Sequence, residues 1–108
     1  MIRRRDIKAW CENVAREFRP ERIVLFGSYA RGTATKDSDV DVLVVMRLGR
    51  GQRDVRQAAA IRDRIRAAFP MDVIVRSPQQ IARRLAQGDS FVSEVLRHGR
   101  LMYEAKHP

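Results

Sequence analysis

The stretch Ile23–Val45 reads IVLFGSYARGTATKDSDVDVLVV, in which two apolar runs enclose a polar loop. The runs are Ile23–Phe26 and Val40–Val45, and their β-branched and aromatic residues are typical of strands. The loop opens with Gly-Ser at positions 27 and 28 and closes with Asp-Val-Asp at 39–41. This pattern predicts a strand–loop–strand unit that carries its polar residues at the strand ends.

Asp39 and Asp41 are candidate metal ligands. They are two residues apart at the start of a strand, so both side chains lie on the same face. Two carboxylates that close repel each other unless a cation lies between them, and Mg²⁺ is the usual hard, oxygen-ligating ion. Capping of a turn is the alternative interpretation. It suits Asp39 but not Asp41, because a charge in an apolar run is costly without compensation.

Gly27 and Ser28 are candidate phosphate ligands. A Gly-Ser pair directly after a strand presents backbone N–H groups and a hydroxyl to an anion. Residues 28–32 are predicted to form a short helical turn whose dipole favours negative charge at its start. A phosphate site beside metal-binding carboxylates indicates a nucleotide.

The remainder of the chain predicts a small mixed sheet of three strands flanked by helices, a single α/β (α+β) domain over residues 1–108. An apolar stripe predicts a helix over Arg4–Phe18 that buries Trp10 and Cys11. A second helix is predicted over Gln52–Phe69, and a third strand over Met71–Val75. Two further helices follow: the first starts after Ser77 and faces inward with Ile81 and Leu85, and the second ends at Gly99. Residues 100–104 are predicted to be a terminal extended segment.

Asp72 is the third candidate carboxylate. If the second and third strands are parallel with a right-handed helical crossover, both strands begin at the same edge of the sheet. Asp72 then reaches the end that carries Asp39 and Asp41. The first strand must run antiparallel to the second in order to deliver Gly27 there. Three carboxylates and a phosphate site would therefore converge from separate segments.

These motifs resemble the signature of the nucleotidyltransferase superfamily typified by DNA polymerase β. Gly27-Ser28, ten intervening residues and Asp39-Val40-Asp41 match its Gly-Ser and Asp-x-Asp elements. The fuller run Gly-Ser-Tyr-Ala-Arg-Gly at 27–32, with Ser38 before the carboxylates, is similar to minimal nucleotidyltransferases, small proteins commonly paired with HEPN toxins. The resemblance implies a polymerase β-like nucleotidyltransferase fold and places the third catalytic Asp at Asp72.

The resemblance also implies an activity. It implies catalysis by Asp39, Asp41 and Asp72 with two Mg²⁺ ions and ATP as substrate, and β- and γ-phosphates held by Gly27 and Ser28. It implies AMP transfer to a tyrosine of a HEPN ribonuclease toxin, so that the protein acts as an antitoxin. An antibiotic hydroxyl is the alternative acceptor, and a non-catalytic antitoxin that acts by binding alone is the rival from another class. No residue is expected to act as a covalent nucleophile.

Arg31 and Lys36 are basic residues that each have two possible roles. Arg31 either contacts phosphate or pairs with a nearby carboxylate, and Lys36 either neutralises triphosphate charge or is solvated. His98 and His107 lack acidic or Cys neighbours at ligand spacing, so they are expected to be surface or capping residues.

The composition limits where the protein is expected to be located and which partners it is expected to bind. The formal charge of +9 raises nucleic-acid binding as a hypothesis, but the Arg residues are spread over predicted helices without interleaved aromatic residues. A solvated basic surface is therefore the favoured interpretation. The lone Cys11 and the absence of a long apolar run predict a cytoplasmic protein without a membrane span.

Overall fold

The computed structural model describes residues 1–106 and contains one mixed sheet with helices on both faces. The predicted mixture of helices and strands is confirmed. His107 lies outside the described residues. The elements in chain order are α1 (Arg4–Phe18), β1 (Arg22–Phe26), α2 (Ser28–Arg31), β2 (Val40–Val45), α3 (Asp54–Arg64), β3 (Met71–Arg76), α4 (Pro78–Ala86), α5 (Ser90–His98) and β4 (Arg100–Glu104).

The sheet has the strand order β3-β2-β1-β4. β1 is antiparallel to β2, and β2 is parallel to β3, as the topological argument predicted. The number of strands differs from the prediction, because residues 100–104 form a fourth strand that pairs antiparallel with β1. Pairing satisfies backbone N–H and C=O groups of β1 that would otherwise lack partners.

Alternation along the strands divides the core between the two faces. On one face, Ile23, Leu25, Val40, Val42 and Val44 pack against α1 and α3. On the other face, Val24, Leu43 and Val45 pack against Ile81 of α4 and against Val92 and Val95 of α5. Because side chains alternate with a period of two, the odd-numbered residues of β2 all face α4 and α5.

The apolar stripe of α1 is buried as predicted. Trp10 is a core residue, and its indole Nε1 donates a hydrogen bond to the carbonyl of Ile65 at 2.9 Å. Cys11 is fully buried, and burial, together with the nearby Glu12 charge, raises the pKa of its thiol to about 12. The thiol therefore stays protonated at neutral pH and is not a nucleophile.

The predicted helix over residues 52–69 is shorter in the structure. α3 covers Asp54–Arg64, and the backbone leaves the helix at Ile65 with φ −112° and ψ 87°. The Ile65 carbonyl then accepts the hydrogen bond from α1. Phe69 precedes a proline, which disfavours helical geometry, and it packs against the core instead.

The last two helices have side-chain caps. Ser77 and Gln80 form the capping box of α4, in which Ser77 Oγ accepts from Gln80 N at 3.1 Å. Asp89 caps α5 by accepting from Val92 N at 3.0 Å, and this bond, with Arg84 beside it, lowers the pKa of Asp89. The prediction that Leu85 faces inward was wrong, because only Ile81 of α4 reaches the sheet and Leu85 is 43% exposed.

Candidate active site

Three residues from neighbouring strands form one row across the end of the sheet. Phe26 of β1 lies opposite Asp41 of β2, and Asp41 lies opposite Asp72 of β3. Phe26 and Leu43 belong to the α4 and α5 face, so alternation places Asp41 on that face as well. Neighbouring strands are about 4.8 Å apart. The structure thus brings Asp72 beside Asp41, as the crossover argument required.

The electrostatics of the row centre on Asp41. Its side chain is half-buried, and this burial raises the pKa of its carboxyl. The charges of Asp72 and then Asp39 raise that pKa further, whereas the Arg31 guanidinium lowers it. These carboxylates therefore repel one another in the folded chain, and a bound cation would offset that repulsion.

Gly27 is in direct contact with the Asp41 carboxylate. Its backbone has φ 72° and ψ −154°, a region that is essentially restricted to glycine. A Cβ at this position would lie well inside van der Waals contact of Asp41 Oδ2 and 3.2 Å from Asp41 Cγ. The absence of a side chain thus brings the start of α2 against Asp41. Asp39, Asp41 and Asp72 are called the carboxylate row below.

α2 provides the predicted helical turn after β1. The N–H groups of Ala30 and Arg31 donate to the Gly27 carbonyl, both at 3.1 Å. Ser28 and Tyr29 start the helix, and the first N–H groups of a helix have no partner within it. Tyr29 Oη accepts a hydrogen bond from the Ile2 N–H at 3.2 Å, which holds α2 against the N-terminal segment.

The loop between α2 and β2 has internal hydrogen bonds. Ser38 Oγ accepts from Thr35 N at 2.9 Å, so Ser38 orders the approach to Asp39. Lys36 is exposed. Arg31 is also exposed, and among residues 1–106 it forms no ion pair within 4 Å. Arg31 nevertheless lies near enough to Asp41 to lower the carboxyl pKa.

The three carboxylates fit a divalent cation by chemistry, although they are not closed around one. Within the described part of the chain, no three His, Cys, Asp or Glu side chains are positioned to hold a metal ion as they stand. Asp39 and Asp72 are exposed, so their side chains are free to rotate towards Asp41. Carboxylate oxygens are the ligands that Mg²⁺ prefers.

A cavity of about 250 Å³ adjoins the row on the side of β1. It shares Gly27 and Arg31 with the candidate phosphate site, and α5 provides Phe91, Glu94 and His98. Sequence reasoning missed this cavity, because α5 is more than sixty residues from Gly27 along the chain.

The expectation that His98 lacks an acidic neighbour at ligand spacing was wrong. Glu94 Oε2 is 4.0 Å from His98 Nε2. Both side chains are exposed, as predicted for a surface histidine.

Comparisons with known proteins point to the same class of protein as the Gly-Ser and Asp-x-Asp motifs. A sequence model described as the nucleotidyltransferase domain matches residues 7–102. Two proteins of Methanocaldococcus jannaschii, each named "putative protein adenylyltransferase", are 33% identical to the chain. One alignment spans 79% of this chain and 80% of the relative, and the other spans 73% and 75%.

Solved structures share the fold. A crystal structure titled as a "putative nucleotidyltransferase" from Sulfolobus solfataricus aligns with a TM-score of 0.63 and 26% identity, over 93% of this chain and 78% of the other. A structure titled "toxin-antitoxin with AMP-PNP" aligns with a TM-score of 0.54 and 20% identity, over 92% of this chain and 74% of the other.

Among residues 1–106, no helix is long and apolar enough to cross a membrane.

Proposed function

The chain belongs to the nucleotidyltransferase domain family and is a nucleotidyltransferase, and from this premise we propose that it transfers AMP from ATP to a hydroxyl of a protein. We further propose that the acceptor is a tyrosine of a HEPN-type ribonuclease toxin and that the reaction depends on Mg²⁺. On this proposal the protein is an antitoxin that acts by modifying its partner.

One observation carries the proposal: the carboxylates of Asp41 and Asp72 are side by side, and Gly27 lies against Asp41. Burial and like charge raise the pKa of Asp41, so the fold maintains a repulsion that contributes nothing to a protein that only binds. Catalytic sites are where such destabilising arrangements are expected, because the ligand compensates them. The candidate phosphate site at Gly27 is in contact with the Asp41 carboxylate.

The phosphate site and the three carboxylates have different tasks in the proposed reaction. The N–H groups and hydroxyl at Gly27 and Ser28 bind the β- and γ-phosphates, and Arg31 adds positive charge beside them. Asp39, Asp41 and Asp72 would hold two Mg²⁺ ions. Such ions, when bound, stabilise charge on both the attacking and the leaving oxygen.

The chemical step is an in-line substitution at the α-phosphorus. The acceptor hydroxyl oxygen forms the new bond, and the bond to the bridging oxygen of pyrophosphate breaks. Asp72 is exposed at the outer strand β3, so an acceptor that approaches from this side meets a carboxylate able to take the hydroxyl proton. Pyrophosphate leaves with the charge that the phosphate site stabilises.

The names of the relatives guide the choice of acceptor. The two archaeal proteins are named as protein adenylyltransferases, which favours a protein over a small molecule. A protein with the same fold was crystallised as a toxin–antitoxin with AMP-PNP. The surface of this chain carries a formal charge of +9, which favours a partner with acidic surface.

The proposal is tested with ATP labelled at either the α- or the γ-phosphate. The chain is mixed with the proposed HEPN-type toxin and with MgCl₂, and label is followed on the toxin. Adenylylation predicts transfer of the α-label and none of the γ-label. Transfer of the γ-label alone would indicate phosphorylation and overturn the proposal.

The non-catalytic alternative is tested in cells. If binding alone neutralises the toxin, the Asp39→Asn and Asp41→Asn double variant restores growth as well as the wild type. The proposal predicts that this variant fails to restore growth at equal expression. Far-ultraviolet circular dichroism of the variant, matched to that of the wild type, shows that the failure is not due to unfolding.

A further inference from the structure

The end of the sheet opposite the carboxylate row carries a turn that is rich in arginine. β1 begins at this end, and β2 and β3 finish there, since β1 is antiparallel to β2 and β2 is parallel to β3. The turn joins β2 to α3 and reads Arg-Leu-Gly-Arg-Gly-Gln-Arg over residues 47–53, hereafter the arginine turn. β2 has six residues, so at about 3.3 Å per residue the arginine turn lies roughly 20 Å from the carboxylate row.

The arginine turn is ordered by its own hydrogen bonds. The Gly49 N–H donates to Gln52 Oε1 at 2.8 Å, and the Gln52 N–H donates to the Gly49 carbonyl at 2.9 Å. The side-chain amide of Gln52 also donates to Gln57 Oε1, and Gln57 is buried in α3. Leu48 packs against the core. The fold therefore presents the arginines from a braced backbone, which lowers the cost of ordering them when they bind.

The three arginines of the turn have no counter-charge within the fold. Arg47, Arg50 and Arg53 are exposed, and among residues 1–106 none of them has a carboxylate within 4 Å. No residue of the turn is acidic. A further arginine at this end is balanced instead, because Arg76 pairs with Asp54 at 3.3 Å. The positive charge of the arginine turn is therefore free to meet an anion from outside.

The residue types of the turn fit phosphate groups on a polymer. A guanidinium presents a planar set of N–H donors that binds a phosphate through two parallel hydrogen bonds. The turn has no aromatic residue on which the bases of a single strand could stack. It also has no exposed large apolar side chain of the kind that forms the core of a protein interface. The closest one along the chain is Val55, in the first turn of α3.

We propose that the arginine turn binds the sugar–phosphate backbone of double-stranded nucleic acid. The turn has no free side chain able to read a base or a ribose hydroxyl, because Gln52 is engaged within the turn. Binding is therefore independent of base sequence and does not distinguish DNA from RNA. It requires neither nucleotide nor toxin, so it goes beyond the proposed function. The carboxylate row, at the other end of the sheet, stays accessible when a duplex is bound.

The structure changes how the basic residues are interpreted. The sequence favoured a solvated surface, because the arginines are spread over predicted helices. The helix predicted to start at Gln52 included Arg53, whereas α3 starts at Asp54. Arg53 therefore belongs to the turn, and three uncompensated charges come from one segment of seven residues. Such a concentration of positive charge attracts a polyanion.

The proposal is tested by fluorescence anisotropy over a range of KCl concentrations. Labelled DNA and RNA duplexes of about two helical turns are used, each in two unrelated sequences. The dissociation constant at physiological salt should lie within about 10⁻⁴–10⁻⁶ M, the usual range of non-specific binding. Replacing Arg47, Arg50 and Arg53 together by glutamine should reduce the slope of log affinity against log salt by about three, since each phosphate contact contributes about one.

The matched control removes the same charge from other surfaces. Arg5, Lys8 and Arg97 are also exposed and have no carboxylate within 4 Å in the described part of the chain, but they lie on α1 and α5. Replacing these three by glutamine changes the net charge equally and should leave the salt dependence unchanged. Circular dichroism of both triple variants, matched to that of the wild type, shows that neither is unfolded.

Three results would overturn the proposal. The first is that the wild type binds neither duplex, or that both triple variants lose affinity equally, which would indicate an effect of net charge alone. The second is that only one duplex type or one sequence binds, because phosphate contacts do not distinguish them. The third is that polyglutamate displaces the label as well as unlabelled duplex of equal charge does, which would assign the turn to an acidic protein. Failure of the proposed function is distinct, since it appears as absence of label on the toxin.

Discussion

Replacement of Gly27 by alanine tests the contact that joins the phosphate site to the carboxylate row. The backbone at this position has φ 72° and ψ −154°, and a non-glycine residue there costs about 1–3 kcal/mol. The new Cβ would also collide with the Asp41 carboxylate and force its side chain out of place. A side chain displaced from its rotamer costs about 0.5–1.5 kcal/mol.

The two effects together predict a loss of about 1.5–4.5 kcal/mol in the free energy of unfolding, measured by equilibrium urea denaturation. Gly88→Ala is the matched control. Gly88 also has a positive φ, of 77°, but nothing lies within 4 Å of its added Cβ. The control should cost only the backbone contribution of about 1–2 kcal/mol.

A double-mutant cycle isolates the contact itself. In an Asp41→Ala background, the carboxylate that meets the new Cβ is gone, so Gly27→Ala should be less costly by about 0.5–1.5 kcal/mol. The reasoning is refuted if Gly27→Ala costs no more than Gly88→Ala and shows no coupling to position 41. That result would mean that α2 does not lie against the row.

Three further predictions concern the row and its ligands. Burial and the charges of Asp72 and Asp39 raise the pKa of Asp41 in the folded chain, so protonation of Asp41 stabilises the fold. This stabilisation is present below about pH 4, the usual pKa of an aspartate, and it is lost as the pH rises through the raised pKa. Asp41→Asn should therefore be more stable than the wild type at neutral pH without ligand, and urea denaturation that shows the same difference at every pH would contradict this. Mg²⁺ and ATP together, at about 100 times the dissociation constant, should stabilise the fold by roughly 2.7 kcal/mol, and a melting temperature indifferent to both would argue against the site. Ser28→Ala should weaken tripolyphosphate binding by about tenfold or more, since a hydrogen bond to a charged group is lost, whereas calorimetry that finds no change would remove Ser28 from the phosphate site.

The elements nearest the motifs were predictable from the sequence because local and topological rules agree there. Period-two alternation placed Asp39 and Asp41 on one face, and the parallel crossover placed Asp72 beside them. The sequence also has a glycine at position 27, where the structure leaves no room for a side chain. The roles of these residues in catalysis remain predictions.

The parts that the sequence did not predict depend on contacts between distant segments. Ile65 continues the apolar pattern of α3, but its carbonyl pairs with Trp10 of α1 and the helix ends there. Leu85 fits the stripe of α4, yet it does not join the cluster that Ile81 forms with the sheet and is 43% exposed. The cavity between β1 and α5 arises from the fold as a whole, and no local pattern marks Phe91 as one of its walls.

The intact mass of the toxin after incubation tests the central claim most directly. The chain, ATP and MgCl₂ are mixed with the HEPN-type toxin that we propose as its acceptor, and the toxin is analysed by mass spectrometry with peptide mapping. We predict a gain of whole AMP units on a tyrosine with the wild type and none with Asp41→Asn, which removes the charge at the centre of the row. An unchanged toxin mass in the wild-type mixture, or an equal gain with Asp41→Asn, would contradict the claim that this carboxylate row transfers AMP to a protein.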